Sequence, residues 1–229
     1  MKHSKRFKEV AKAVETDKHY PLTEAIALAK TNATAKFDET IEICMNLGID
    51  PKQSDQQIRP TVVLPHGTGK NVRVAAFVDS ANETAAKEAG ADIIGTEEVI
   101  DKIVKKGIID FDVAVAVPTM MVKLAKAARV LGPRGLMPNP KTDTVGMDIA
   151  KMVKEQKGGK VSFKLDNTSN IHLIVGKASF EEKQLMENTS VVVEAIKKAK
   201  PAAAKGIYIK SATITSSMGP AVRIDTSTL

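Results

Sequence analysis

The chain contains no tryptophan, two tyrosines and six phenylalanines, 3% aromatic residues in all. A binding site made of successive bases stacked on aromatic rings is therefore poorly supported, and any nucleic-acid site must rest mainly on other chemistry. There is one cysteine, Cys44, which excludes an intramolecular disulfide; nothing stands near it at metal-ligand spacing, so no metal site and a reducing compartment are expected. No run of about 18 apolar residues occurs, and the basic start Met1-Lys-His-Ser-Lys-Arg-Phe-Lys8 is not followed by the apolar core of a signal peptide. A cytoplasmic protein with no membrane partner is expected. Enzymatic signatures are also missing. The four histidines (His3, His19, His66 and His172) are scattered, and no Gly-x-Gly-x-x-Gly follows a strand. Gly67-Thr-Gly-Lys70 fails as a phosphate loop, because Leu64 stands where its first glycine belongs and Asn71 where Ser or Thr should follow the lysine. No catalytic residue and no cofactor are expected.

What is present is ordinary globular material: 229 residues, 43% apolar and 27% charged, enough for one large domain or two small ones. The formal charge of +7 and a pI near 9.3 favour an anionic partner such as RNA, DNA or an anionic membrane face.

Periodicity divides the chain. Phe7, Val10, Ala11 and Val14 recur at helical spacing among Lys5, Arg6, Lys8 and Lys12, which predicts a basic amphipathic helix from Ser4 to Thr16. Thr23 is placed to cap a second helix after Pro21. From Phe37 to Leu47 the residues Ile41, Ile43, Met45 and Leu47 alternate with polar ones, as in a half-buried strand, and the alternation returns in 161–165, in 171–175 and around Ile207-Tyr-Ile209. Between these ends, short continuous apolar strands (72–78, 92–94 and 113–117) alternate with helical segments, Glu97 and Glu98 opening one of them and Met120 to Val130 forming another. The expected architecture is a discontinuous α+β domain from residues 1–66 and 160–229, with an inserted Rossmann-like βα domain at 67–159. Two glycine-bearing strands of linker join them, and Gly67, Gly69, Gly158 and Gly159 serve as a hinge. The inserted stretch carries 14 Lys+Arg against 12 Asp+Glu and the remainder 20 against 15, so the outer domain is the better platform for RNA.

Two segments point to recognition. Thr213-Ile-Thr-Ser-Ser-Met-Gly-Pro220 places hydroxyls, an unbranched Met218 and Gly219 at a strand end, where a partner's backbone can approach closely; a polar strand end running into a Gly-Pro turn is the simpler alternative. On the strand that starts at Lys36-Phe37, Thr40 and Glu42 lie opposite Ile41 and Ile43 and can accept from a ribose 2′-hydroxyl, while Phe37 can pack on a ribose or base or else lie in the core. Leu131-Gly-Pro-Arg-Gly-Leu-Met-Pro-Asn-Pro-Lys141 is a third distinctive stretch, a rigid loop around Arg134 and Lys141.

Lys36-Phe-Asp-Glu-Thr-Ile-Glu42, Leu47-Gly-Ile-Asp-Pro51, Leu64-Pro-His-Gly67, the 131–140 loop, Val175-Gly-Lys-Ala-Ser179 and Ser217-Met-Gly-Pro220 together resemble the L1 family of bacterial large-subunit ribosomal proteins over nearly the whole chain. The resemblance implies a non-enzymatic protein, monomeric when free, that binds 23S ribosomal RNA at the mobile stalk. It further implies help in releasing exit-site tRNA and repression of its own operon by binding the mRNA. Rival readings, a metabolic α/β enzyme or a DNA-binding regulator, lack their signatures. Carried over by position, the RNA contacts are Phe37, Thr40, Glu42, Ser217, Met218 and Gly219, with Lys36 beside them. Lys164, Thr168 and Ser211 follow from neighbouring family positions and strand parity, while Lys2, Lys5 and Arg6 are expected to steer RNA electrostatically. One departure is Asp166-Asn-Thr-Ser169, where the family usually shows an Asp-Lys-Thr-Gly-like turn. The turn is expected to persist because Asn tolerates left-handed backbone.

Overall fold

The computed structural model describes the chain apart from residues 1–3, 16, 54, 55 and 205 and the side chains of residues 81 and 106; Lys2 therefore lies outside the described residues. The chain divides into two compact units, Met1–Gly69 with Val161–Leu229, and Lys70–Lys160.

In the first unit, helix α1 (Lys5–Ala11) begins behind Ser4, whose Oγ accepts from the Phe7 amide at 3.2 Å. The helical period continues to Thr16, yet α1 stops at Ala11, and the amides of Lys12, Ala13 and Val14 turn back to the carbonyls of Glu9, Val10 and Ala11. None of its residues is fully buried, so packing adds little to sustain a longer helix, although Val14 beyond its end still packs against the core. Helix α2 (Leu22–Thr31) starts one residue before the expected cap. The Pro21 carbonyl takes the first helical bond from Ala25, and Thr23 falls inside the first turn. Ala25, Ile26 and Ala29 of α2 are buried against β1 (Thr40–Leu47) and its neighbours. Ile41, Ile43, Met45 and Leu47 of β1 are almost fully buried, as the alternation requires. A short strand β2 (Thr61–Val63) follows.

The second unit is built on a parallel sheet. Strand β3 (Val74–Phe77) is buried on both faces and leads through α3 (Glu83–Glu88) to β4 (Ile93–Ile94). From there α4 (Glu97–Lys106) leads to β5 (Val113–Ala116), and the strand order is β4-β3-β5. Helix α4 opens with Glu97 and Glu98 at its positive end and closes on Gly107, whose φ of 64° suits a residue without Cβ. The single helix expected over Met120–Val130 is two: α5 (Pro118–Leu124) and α6 (Ala128–Leu131), joined by a 3₁₀ turn over Ala125–Ala127. The tighter turn aims Ala127 and Leu131, both fully buried, at the core. Helix α7 (Ile149–Lys157) closes the unit. Alternate residues of β3 feed two layers: Ala75 and Phe77 pack with Ile103, Phe111 and Leu124, and Val74 and Ala76 pack with Ala86, Val115 and Val153.

The chain then returns through β6 (Lys160–Ser162), paired with β2. This strand ends three residues before the expected Leu165, although the Phe163 amide still reaches the Pro60 carbonyl. Strand β7 (Asn170–Lys177), helix α8 (Glu182–Lys198), strand β8 (Ile209–Ser216) and strand β9 (Val222–Ile224) complete an antiparallel sheet of order β7-β1-β8-β9. Helix α8, for which the apolar spacing gave no expectation, packs Leu185, Val192, Val193 and Ile196 into this core. Two polar residues, Asn188 and Thr189, lie on the same buried face and interrupt the apolar period.

Candidate nucleic-acid interface

Residues directly opposite in an antiparallel pair share a face. Glu42 of β1 faces Thr215 on β8 and Ile174 on β7; Cys44 faces Thr213 and His172; Asn46 faces Ser211 and Asn170. One side of the sheet is thus the isoleucine core, and the other is a polar surface running along β1 from Thr40 to Asn46, about 20 Å at the usual strand rise. Cys44 is a free, half-buried thiol on this surface, and burial pushes its pKa up.

At the end where β1 begins, the expected residues converge. The Ser217 amide donates to the Thr40 carbonyl at 3.0 Å, and the Thr40 amide donates to Ser217 Oγ at 3.1 Å. The Gly219 amide closes the turn on the Ser216 carbonyl at 3.2 Å. A Cβ on Gly219 would lie 2.5 Å from the buried Ser216 Oγ, so the turn has room only for glycine. Met218 is 51% exposed and Phe37, which lies ahead of the strand and not in the core, is 57% exposed; Lys36 beside it is exposed as well. Glu42 is half-buried. Thr40 shows little surface, and its Oγ1 accepts from Lys177 Nζ at 3.1 Å, so it braces the strand end from within.

Under this turn lies Glu39, a residue that the sequence reading passed over. Its carboxylate is fully buried. Oε2 accepts from the Met218 amide at 2.9 Å and Oε1 from the Ala35 amide at 2.8 Å, with Arg6 3.8 Å away. Burial acts to raise the Glu39 pKa, but the Ser216 hydroxyl, the Met218 and Ala35 amides and the Arg6 charge outweigh it and hold the carboxyl below the ordinary glutamate range. Arg6 is therefore no free steering charge: its guanidinium donates to Thr34 Oγ1 and to the Met218 carbonyl, both at 3.1 Å. Lys5, one residue earlier on α1, is exposed. Residue type alone does not distinguish Glu39 from the other acids of Asp38-Glu39-Thr-Ile-Glu42. Its position two residues before a buried isoleucine, on the core side of the strand, was the available signal.

Thr168 and Ser211 lie at the opposite end of the strands. Thr168 belongs to a turn organised by Asp166, whose Oδ1 accepts from the Thr168 amide at 2.8 Å and the Asn170 amide at 2.7 Å. The left-handed residue is Ser169, with φ 65°, and not Asn167; the Ser169 hydroxyl offsets the strain by donating to the Ile49 carbonyl. Lys164 is exposed beside this turn and lines a small recess with Gln57, Arg59 and Asp166.

The Asn170 amide foremost, opposed by burial and joined by the Thr168 hydroxyl and amide, holds the Asp166 pKa down at about 2, against an ordinary 3.8. Because the folded value lies below the unfolded one, the turn's contribution to stability is present above pH ~4 and lost as pH falls towards ~2. An NMR titration should show the Asp166 carboxyl carbon with a midpoint near 2. A midpoint near 4 would mean that the turn is open in solution.

The second unit carries the 131–141 loop. Arg134 and Lys141 are exposed, whereas Pro138 is buried and Leu136 and Met137 pack against the core. Asn139 organises the loop: its side chain accepts from the Lys141 amide and its carbonyl from the hydroxyls of Thr142 and Thr144. Of the glycines expected at the joints, Gly67, Gly69 and Gly159 have φ of 66°, 72° and 93°, while Gly158 ends α7 in right-handed conformation. Among the described residues, no group of three or more His, Cys, Asp or Glu is gathered to hold a metal ion, and no helix is long and apolar enough to cross a membrane.

Comparison with known proteins places these residues in context. The model of the Ribosomal protein L1p/L10e family matches residues 28–220. A "Large ribosomal subunit protein uL1" of Salinispora tropica is 51% identical over 225 residues, covering 98% of this chain and 94% of that protein. Proteins with the same name from Corynebacterium urealyticum and Thermobifida fusca are 50% and 48% identical, each covering 98% of this chain and 94% and 95% of their own length.

Proposed function

The chain belongs to the ribosomal protein L1p/L10e family, a family of structural ribosomal proteins and not of enzymes, and on that premise we propose that it binds 23S rRNA at the mobile stalk of the large subunit in the bacterial cytoplasm. The contact surface is the end of the sheet where Phe37 and Glu42 meet Ser217, Met218 and Gly219, flanked by Lys36 and braced from within by Thr40; the polar face carries it on to Ser211, Thr168 and Lys164. The observation that carries this reading is the Met218 turn, in which both backbone groups of Met218 are bonded within the protein while its side chain stands exposed beside a glycine. Such a surface offers shape and apolar contact, which suits a folded RNA read through ribose and backbone more than through base edges.

In the same reading the two units form domains joined by a hinge at Gly67, Gly69, Gly158 and Gly159. The boundaries at Gly69 and Lys160 support this, as does the φ of three of the glycines, which other residues adopt only at a cost. The Lys70–Lys160 unit, of Rossmann-like βα order, presents Arg134 and Lys141 to exit-site tRNA and promotes its release. The rRNA surface also takes up an rRNA-like element in the operon's own mRNA, which represses translation. The free protein is a monomer. After a high-salt wash of ribosomal subunits, the protein is expected to sediment with the large subunit, and an unlabelled leader of its own message should compete with a 23S stalk fragment in a gel shift. Recovery in the supernatant at low salt would refute rRNA binding. Failure of the leader alone would refute only autoregulation.

A further inference from the structure

We propose that Glu39 and Arg6 are positioning residues, a buried carboxylate and a partly exposed guanidinium that clamp the Met218 backbone from both sides and so set how tightly the turn recognises RNA. The proposal rests on the rRNA-binding reading above.

The geometry is specific. Glu39 Oε2 takes the Met218 N–H at 2.9 Å, and the Arg6 guanidinium gives a hydrogen bond to the Met218 carbonyl at 3.1 Å. The anion holds the donor of this residue and the cation holds its acceptor, while anion and cation stand 3.8 Å apart. Both backbone groups of Met218 are consumed within the protein, so what remains for RNA is the thioether side chain and the close approach that Gly219, without a side chain, allows. The clamp also has fixed anchors. Glu39 Oε1 takes the Ala35 amide, the Glu39 carbonyl takes the Ala178 amide at 2.8 Å, and Arg6 reaches Thr34. Through Arg6, helix α1, none of whose residues is fully buried, reaches the turn.

Electrostatics alone gives the opposite expectation. A carboxylate beneath a surface that meets phosphate is repulsive, so its retention needs a reason other than charge, and Arg6 neutralises it where it lies. If net charge were what mattered, Glu39→Gln would tighten RNA binding. If the clamp matters, the same change weakens binding, because Gln can accept from the Met218 or the Ala35 amide but offers an N–H to the other and no longer pairs with Arg6. Arg6→Lys separates the two accounts from the other side. It keeps the positive charge, but a single ammonium cannot bridge Thr34, Met218 and Glu39 as the planar guanidinium does.

The test uses the full chain. Amide hydrogen exchange of Met218 in the free protein should accelerate about tenfold or more in Glu39→Gln, and affinity for a 23S stalk fragment should fall roughly tenfold with the salt slope unchanged. Arg6→Lys should lose about threefold to tenfold in affinity. Unchanged Met218 exchange overturns the clamp. Faster exchange with equal or tighter RNA binding overturns its role in recognition and leaves rRNA binding standing. A wild-type protein that does not bind the fragment refutes the functional reading itself, while the exchange rates still report on the clamp. Should Glu39→Gln fail to fold, Arg6→Lys, which leaves the carboxylate in place, decides the matter by the same two readouts.

Discussion

Met218→Asp is expected to weaken binding to a 23S stalk fragment by about 1–3 kcal/mol, roughly 5- to 150-fold. The substitution leaves the local backbone intact, because the Met218 amide and carbonyl are held by Glu39 and Arg6 and not by the side chain. It removes a flexible, exposed apolar side chain and replaces it with a carboxylate facing phosphate. At a few ångströms and the effective dielectric of a protein surface, that repulsion alone is of order 1 kcal/mol or more. Two controls separate these contributions. Met218→Leu keeps the apolar volume without charge and should bind within about threefold of wild type. The penalty of Met218→Asp should shrink as salt rises, since an exposed charge is screened. Wild-type affinity for the aspartate variant in a gel-shift titration would remove Met218 from the interface.

The second large effect is on stability. Asn188→Ala is expected to cost about 2–4 kcal/mol, because it leaves several buried backbone groups without partners. Asn188 is fully buried on α8. Its side-chain amide donates to the Val175 carbonyl at 2.8 Å and the Gly67 carbonyl at 3.0 Å, and its oxygen accepts from the His66 amide at 3.2 Å. One side chain thereby ties the end of the 64–67 segment to β7 and to the helix that covers the sheet. Calorimetry should show the transition of the unit containing α8 about 5–10 °C lower, with faster exchange of the His66 amide. A transition at the wild-type temperature would show that water or a rearranged backbone satisfies these groups.

Much of the fold can be read along the chain because its signals are local. The alternation of Ile41, Ile43, Met45 and Leu47 is the arithmetic of a pleat, and all four are buried. The continuous apolar run of β3 reflects a parallel strand covered on both faces. Other features depend on what a residue meets once the chain has folded. Helix α1 ends early because none of its residues is fully buried, and the apolar period of α8 is masked by Asn188, whose acceptors lie on β7 and at Gly67, and by Thr189, which bonds back to Leu185 one turn earlier. For Phe37 periodicity leaves contact and core both open, and the structure exposes it.

By itself, the sequence determined the mixed α/β class, the polar and apolar faces of β1, and the six motifs that mark the ribosomal family, since each depends on residue type and spacing over short stretches. Only the tertiary structure decided that residues as far apart as Arg6, Glu39 and Met218 form one ion-paired knot around a buried carboxylate, and that Arg6 is a brace within the protein and not a free surface charge. The physical reason is that the strength of a hydrogen bond or ion pair depends on burial and geometry. Both arise from β1 and β8 lying side by side, an arrangement between strands about 170 residues apart in the chain that no local pattern encodes.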